Sequence, residues 1–123
     1  MIVAGVGFSS GVLAEDILAL VRDVERAAGM AAQVLAAPDF KADADVLREA
    51  AERLELPVVF CERAALEQVQ SRCVTRSEIA EASVGLASIA EACALAGAGA
   101  DSRLLVPRMS RGKATCALAG AEI

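Results

Sequence analysis

The chain has 123 residues, a length typical of one domain with its own core, and 56% of them are hydrophobic. The net charge of −5 disfavours non-specific binding to nucleic acid or to anionic membranes. With three Phe and neither Trp nor Tyr, stacking on nucleic-acid bases is nearly excluded. We therefore expect a single domain spanning residues 1–123, which holds any anionic ligand at a local site.

The chemistry available to the chain is limited. It has no His, and its four Cys, at positions 61, 73, 93 and 116, form no C-x-x-C pair. A metal site is not expected, and neither is a Ser-His-Asp or Cys-His mechanism. No apolar run approaches the ~20 residues that span a bilayer, and the N-terminus lacks a signal-peptide pattern. We expect a cytoplasmic protein with reduced structural thiols, no cofactor and no membrane contact.

The first predicted unit is a strand that passes through a glycine-rich turn into an amphipathic helix, within Val3–Ile17. Apolar residues at helical spacing continue from Gly11 until Gly29, which ends the helix. Gly5, Gly7 and Gly11 permit positive φ and close approach of a ligand to the main chain. The helix directs its free N–H groups into the turn, which predicts a phosphate or carboxylate site. A tight turn that binds nothing is the alternative.

A second strand and helix follow. Ala32–Ala37 has the pattern of a strand closed by Pro38, and Asp39–Asp43 leads into a helix with Asp43 as the expected N-cap. Pro57–Cys61 is the third predicted strand. Two such units imply a parallel sheet with right-handed crossovers, where ligands lie beyond the carboxyl ends of the strands. The glycine loop and the segment after strand two should share one crevice there.

The remaining elements complete a mixed sheet. Sequence patterns predict a short helix Arg63–Val69, helix starts at Thr75–Glu78 and Ser88–Glu91, and strands Arg103–Pro107 and Lys113–Leu118 joined by Arg108–Gly112. The expected fold is α/β, a single three-layer α/β/α domain. Its sheet should have about five strands, mostly parallel, with a C-terminal antiparallel hairpin.

The hairpin is locally basic, because residues 102–121 include four basic residues and no acidic one. If its loop faces the crevice, the cations could clamp carboxylates; otherwise it is a solvated tip. Lys41 could likewise bind an anion, act as a general acid or be merely exposed, and Asp43 could be a cap or a catalytic carboxylate. The candidate ligand-binding residues are Gly5, Gly7, Ser9, Ser10, Gly11, Lys41, Asp43, Arg108, Ser110, Arg111 and Lys113.

These motifs, in this order, resemble the CobE family of cobalamin biosynthesis proteins, whose domain also forms the C-terminal part of CbiG. The resemblance covers nearly the whole chain, and its specificity lies in the ordered set. It implies a role in building the corrin ring, with tetrapyrrole intermediates edged by acetate and propionate groups as ligands. The matching segments are Gly5–Gly7, Gly11, Ala14–Ile17, Lys41–Asp43, Val84–Glu91, Leu104–Arg108 and Ser110.

The resemblance leaves catalysis open. The longer CbiG proteins open a δ-lactone on a cobalt-precorrin and release acetaldehyde, but they have domains additional to this one. The short CobE type implies binding, protecting or passing on an intermediate. After the second glycine the family commonly has a Cys and basic residues, whereas this chain has Phe8, Ser9 and Ser10. A possible nucleophile and the loop charges are absent, while backbone donors and two hydroxyls remain.

Two other functions stay open on the sequence. Gly5-x-Gly7-x-x-x-Gly11 after a strand is a variant of the dinucleotide-binding fingerprint, with Asp39 as the acid near a ribose hydroxyl. That interpretation predicts a nucleotide-binding α/β domain. The other is a non-catalytic subunit of a cobalamin-pathway complex, with corrin-ring enzymes as partners.

Overall fold

A computed structural model describes residues 1–75 and 88–121 of the chain. It contains one five-stranded sheet with helices on both faces. The strands are β1 Ile2–Phe8, β2 Val34–Pro38, β3 Val58–Cys61, β4 Ser102–Arg111 and β5 Ala114–Ala121, and the helices are α1 Ala14–Ala28, α2 Asp45–Leu54, α3 Arg63–Gln68 and α4 Ile89–Ala98. The helix expected to start at Thr75–Glu78 falls largely outside the described residues.

The sheet order is β3-β2-β1-β5-β4. β1, β2 and β3 are parallel neighbours, whereas β5 is antiparallel to both β1 and β4. The predicted α/β fold with a mixed sheet and a C-terminal hairpin is confirmed. "Mostly parallel" overstates one detail, because β5 enters beside β1 and makes the antiparallel neighbours as numerous as the parallel ones.

Strand β1 is buried on both faces and separates two apolar layers. Ala4 and Val6 pack in the layer formed with α1 and α2, while Val3 packs with α4 and α3 on the other face. This alternation follows from the two-residue period of a strand, and burial on both faces explains why β1 is apolar without interruption.

The helix ends agree with the sequence in part. Gly29 has φ 67° and caps α1 in the left-handed conformation, as expected. The prediction of Asp43 as the N-cap of α2 is wrong, because the N-cap is Ala44, without a side-chain cap. A 3-10 turn over Asp39–Lys41 is extended by a 3.1 Å bond from Ala44 N–H to Lys41 C=O, which leaves Asp43 exposed one residue too early.

The hairpin also differs from expectation, because its connection is shorter than predicted. β4 continues through Arg111, so the predicted loop residues 108–111 belong to a strand. Only Gly112 and Lys113 form the turn, and Gly112 has the positive φ of 57° that a tight hairpin turn needs. β4 accommodates Pro107, which lacks an N–H, because it is an edge strand with register shifts on both sides of Val106.

No helix in residues 1–75 or 88–121 is long and apolar enough to cross a membrane. The cytoplasmic location expected from the sequence stays a prediction.

Candidate functional site

Three segments meet at the carboxyl edge of β1. Phe8, the last residue of β1, pairs with Ala114 at the start of β5. Ser9 then donates its N–H to the Lys113 carbonyl at 3.1 Å, and Lys113 Nζ donates to the Ser10 carbonyl at 3.3 Å. The structure therefore brings the glycine loop and the hairpin turn together. Lys113 stabilises the loop through both of these bonds.

The loop itself is a tight turn over Ser9–Val12, closed by a 3.2 Å bond from Val12 N–H to the Ser9 carbonyl. Gly11 sits at its third position with φ 85°, as a type II turn requires. A side chain there would be strained, and its Cβ would lie 3.0 Å from Lys113 Nζ. The N–H groups of Ser10 and Gly11 have no hydrogen-bond acceptor in the part of the chain that is described. They are donors available to a ligand.

A cleft of about 280 Å³ opens between this turn and the start of α2; we call it the edge cleft. Lys41 places its ammonium 5.1 Å from the centroid of the Phe8 ring, a cation–π contact that holds the charge at the cleft. Asp45 is the acid of the cleft, and Arg48 binds its carboxylate at 2.8 Å. The cleft is lined by Phe8, Ser9, Ser10, Gly11, Val12, Lys41, Ala44, Asp45 and Val46.

Gly5 and Gly7 do not reach this cleft, which corrects the role expected for them. Both are buried, and neither has a positive φ. A Cβ on Gly5 would overlap the Ala90 carbonyl and the Ala94 backbone of α4, and one on Gly7 would lie 2.9 Å from Thr115 Oγ1. These glycines let α4 lie against β1. A dinucleotide fingerprint needs their backbone open to a pyrophosphate, so the geometric basis of that alternative is absent.

Arg108, Ser110 and Arg111 also lie outside the cleft. They belong to β4, which β5 separates from β1, so about 10 Å lies between the two backbones. The Arg108 N–H donates to a Glu91 carboxylate oxygen at 2.9 Å. Arg111 pairs through Nε with Asp16 at 3.4 Å. Of the predicted cations, Lys41 lines the cleft and Lys113 supports it.

The N-terminus of α1 is occupied by acids of the chain itself. The Glu15 carboxylate accepts a hydrogen bond from its own backbone N–H and binds Arg53, and both interactions lower its pKa. Asp16, in the same turn, binds Arg111 of the hairpin. The helix end that was expected to face an anion therefore already has negative charge beside it. Among the described residues that line the edge cleft, the turn amides and Lys41 are the groups that attract an anion.

Sequence reasoning missed the role of Glu91, which is fully buried in α4. Its carboxylate accepts hydrogen bonds from Val74 N–H, Thr75 N–H, the Thr75 hydroxyl and Arg108 N–H, all at 2.7–2.9 Å. The predicted capping box is half formed, since Ser88 Oγ accepts from Glu91 N–H at 3.3 Å. The Glu91 carboxylate instead bonds to the segment before α4 and to β4. These contacts are distant in sequence, so local sequence patterns could not predict them.

Three of the four thiols lie in the apolar core rather than at the edge cleft. Cys93 and Cys116 are fully buried, and Cys61 is almost so. Burial raises the pKa of the Cys116 thiol, and the neighbouring Cys61 thiol together with burial raises that of Cys93. The Cys61 thiol has its pKa lowered by that same contact, yet it lies against α4 rather than in the edge cleft. These three residues serve as small apolar core groups, as expected.

Together these features define a class, a small three-layer α/β protein with a candidate anion site at the carboxyl edge of its sheet. The chain belongs to the family described as cobalamin synthesis G C-terminus, whose model matches residues 2–119. It is a protein of cobalamin biosynthesis.

Similar proteins support this assignment. Protein CobE of Sinorhizobium sp is 34% identical over 122 residues, covering 97% of this chain and 79% of the relative. The crystal structure of CobE, a protein from the cobalamin (vitamin B12) biosynthetic pathway, matches with a TM-score of 0.89 and 35% identity, over 97% of this chain and 89% of that one. Cobalamin biosynthesis protein chiG from Agrobacterium tumefaciens str. C58 matches with a TM-score of 0.80 and 37% identity, over 100% of both chains.

Proposed function

We propose that this protein binds a polycarboxylate precorrin or corrinoid intermediate of cobalamin biosynthesis at the edge cleft. The observation that carries the proposal is the pairing of two kinds of anion-attracting group. The Ser10 and Gly11 N–H groups are open, and the Lys41 ammonium stands at the same cleft. Carboxylates are the charged groups that such an intermediate presents at its rim. Charge-assisted hydrogen bonds to them are stronger than neutral ones.

The size of the cleft determines how such a ligand would be held. At about 280 Å³ it is smaller than the roughly 300–1,000 Å³ of pockets that enclose drug-sized ligands. A macrocycle with its side chains is far larger. The cleft therefore takes one or two acetate or propionate arms, while the ring lies across the surface. Binding of this kind suits a protein that holds or passes on an intermediate, and we propose no catalytic step.

Lys41 is the residue on which affinity should depend most. Lys41→Ala removes a charge-assisted bond worth roughly 1.5–3 kcal/mol, so binding of a polycarboxylate corrinoid such as hydrogenobyrinic acid should weaken about tenfold or more. The dependence of affinity on salt should become flatter, because one screened attraction is gone. Titration followed by corrinoid absorbance measures both quantities. Ser9→Ala and Ser10→Ala should have smaller effects, since the backbone donors persist.

Arg26→Ala is the matched control, because it also removes one positive charge, from the last turn of α1 at the opposite edge of the sheet. It should leave affinity unchanged at moderate salt. The neutral methyl ester of the same corrinoid should bind far more weakly than the acid. Equal binding of acid and ester, or equal losses for Lys41→Ala and Arg26→Ala, would show that the edge cleft does not recognise carboxylates.

A further inference from the structure

The two outer strands of the sheet, β3 and β4, differ in how well their free sides are protected from pairing with another strand. β4, at one edge, has Pro107, two register shifts and three arginines, all of which discourage pairing with another strand. β3, at the other, has the sequence Val-Val-Phe-Cys and pairs with β2 alone among the described strands. Val59 and Phe60 are 40% and 44% exposed. An edge strand this apolar is a template for a further strand.

The backbone of β3 is oriented to accept one. The Pro57 carbonyl accepts from Leu35 N–H of β2 at 2.9 Å, so alternation directs the peptide groups of Val59 inward and those of Val58 and Phe60 outward. Two copies related by a two-fold axis at Val59 would set Val58 of each opposite Phe60 of the other. Each such pair exchanges both of its hydrogen bonds, which extends the sheet across the two molecules.

The side chains around β3 also suit such a contact. A groove of about 440 Å³ runs between α2 and β3, with an apolar floor that includes Leu47, Ala51 and Leu56. Val58 and Phe60 line it, so Phe60 of one copy would approach the groove of the second. Val59 projects on the opposite face, towards Gly97 of α4. Apolar surface is therefore available on both sides of the proposed axis.

The charges on the groove select a second copy of this chain as the occupant. α2 runs antiparallel to β3, so Arg48 lies near the Phe60 end of the groove, where it also binds Asp45 of its own helix. Glu52 and Glu55 lie near the Val58 end. A two-fold axis at Val59 exchanges these ends and sets Arg48 of each copy beside the acids of the other. We propose that the protein forms a two-fold dimer in which β3 pairs with β3, antiparallel, at this edge.

Sedimentation equilibrium over a concentration series tests the proposal. The mass should rise from 12.6 kDa towards twice that value in the micromolar range, because the interface is small. Val59→Lys sets two ammonium groups opposite each other at the axis and should abolish the rise. Met30→Lys adds the same charge at another exposed apolar residue and should dimerise like the wild type. Circular dichroism verifies that each variant is folded.

Charge reversal gives a second test that leaves β3 intact. Arg48→Glu alone should weaken the dimer about two- to thirtyfold, because the two-fold axis repeats the exposed ion pair and the substitution removes both copies of it. Combining it with Glu52→Arg exchanges both partners and should restore the wild-type affinity. A wild-type chain that stays at 12.6 kDa at every concentration overturns the proposal. So does a folded Val59→Lys variant that dimerises normally, or a double reversal that is weaker than the single one.

Discussion

Glu91 shows how one side chain can connect segments that are distant in sequence. Its carboxylate is fully buried, and its four acceptor bonds reach Val74, Thr75 and Arg108. Val74 and Thr75 precede α4, and Arg108 lies in β4. The acid therefore holds the segment before α4 and the strand β4 against the helix. Buried carboxylates are costly unless every lone pair finds a donor, and this one is well supplied. We infer that its role is to position the structure rather than to bind a ligand.

Glu91→Gln tests that role. The amide keeps the size of the side chain but replaces one acceptor oxygen with an NH₂ donor, which faces an N–H group that has lost its partner. The free energy of unfolding should fall by about 1.5–3 kcal/mol, the range for hydrogen bonds to charged groups. Urea denaturation measures it. Glu67→Gln, at an exposed residue of α3, should change the same quantity by less than about 0.5 kcal/mol; similar losses in both variants would contradict a special role for Glu91.

At the scale of elements, the packing of α4 on β1 depends on Gly5. The backbone of Gly5 is not in a glycine-only conformation, but the space above it is filled by the α4 backbone at Ala90 and Ala94. The glycine is therefore needed for close approach of two elements, and not for a turn. Gly99 is the reverse case, since its φ is 104° and a Cβ added to it would meet nothing within 4 Å.

The two glycines should therefore respond differently to alanine. Gly5→Ala forces β1 and α4 apart and should lower the free energy of unfolding by about 3 kcal/mol or more, at or beyond the usual range for overpacking. Gly99→Ala strains the backbone without a clash, at φ 104° and ψ 175°, and should cost about 1–3 kcal/mol. Thermal and urea unfolding compare them. A Gly5→Ala variant as stable as Gly99→Ala would mean that α4 shifts without loss of packing.

The first turn of α1 makes a prediction about pH. In the folded state, hydrogen bonds from the Glu15 backbone N–H and from Arg53 lower the pKa of the Glu15 carboxyl below its ordinary value. The resulting contribution to stability is complete above the pKa of the unfolded chain and is lost as pH falls through the lower, folded pKa. Arg53→Ala should raise the Glu15 pKa part of the way to the ordinary value, because the backbone bond remains. A carboxyl-detected NMR titration measures it, with Arg63→Ala as the control; an unchanged pKa would rule out the Arg53 contribution.

At the scale of the whole molecule, the sequence predicts what local patterns determine. The two strand–helix units and the cap at Gly29 follow from apolar periodicity and from one glycine, both of which are local. The insertion of β5 beside β1 could not be predicted, because strand order depends on tertiary contacts. The extent of β4 was missed because its charged end, Arg108–Arg111, has a loop-like composition but occupies an exposed edge.

The candidate site was predicted to a similar degree. The sequence predicted that the Gly5–Gly11 loop, Lys41 and Arg108–Lys113 share one cleft. The structure places Ser9–Gly11 and Lys41 at the edge cleft with Lys113 bonded to the loop, and it places the rest of the predicted set elsewhere. Which glycines face that edge could not be inferred, because Gly5 and Gly11 look alike in sequence. They differ in what packs above them and in backbone conformation, since only Gly11 of the two has a positive φ. Asp45 was missed in favour of Asp43, since a helix start is uncertain by one or two residues when no side chain caps it.

The place of β5 in the sheet has a consequence for how the chain is made. β1 leaves the ribosome before the other strands, yet one of its two neighbours is a strand that follows much later, as the 108-residue separation of Gly7 and Thr115 illustrates. During synthesis β1 can pair with β2, while the backbone N–H and C=O groups on its other side remain unpaired and can bond to a strand of another chain. Formation of the complete sheet therefore requires the C-terminal hairpin, and a nascent chain paused before Ala114 has one side of β1 unpaired, which favours aggregation.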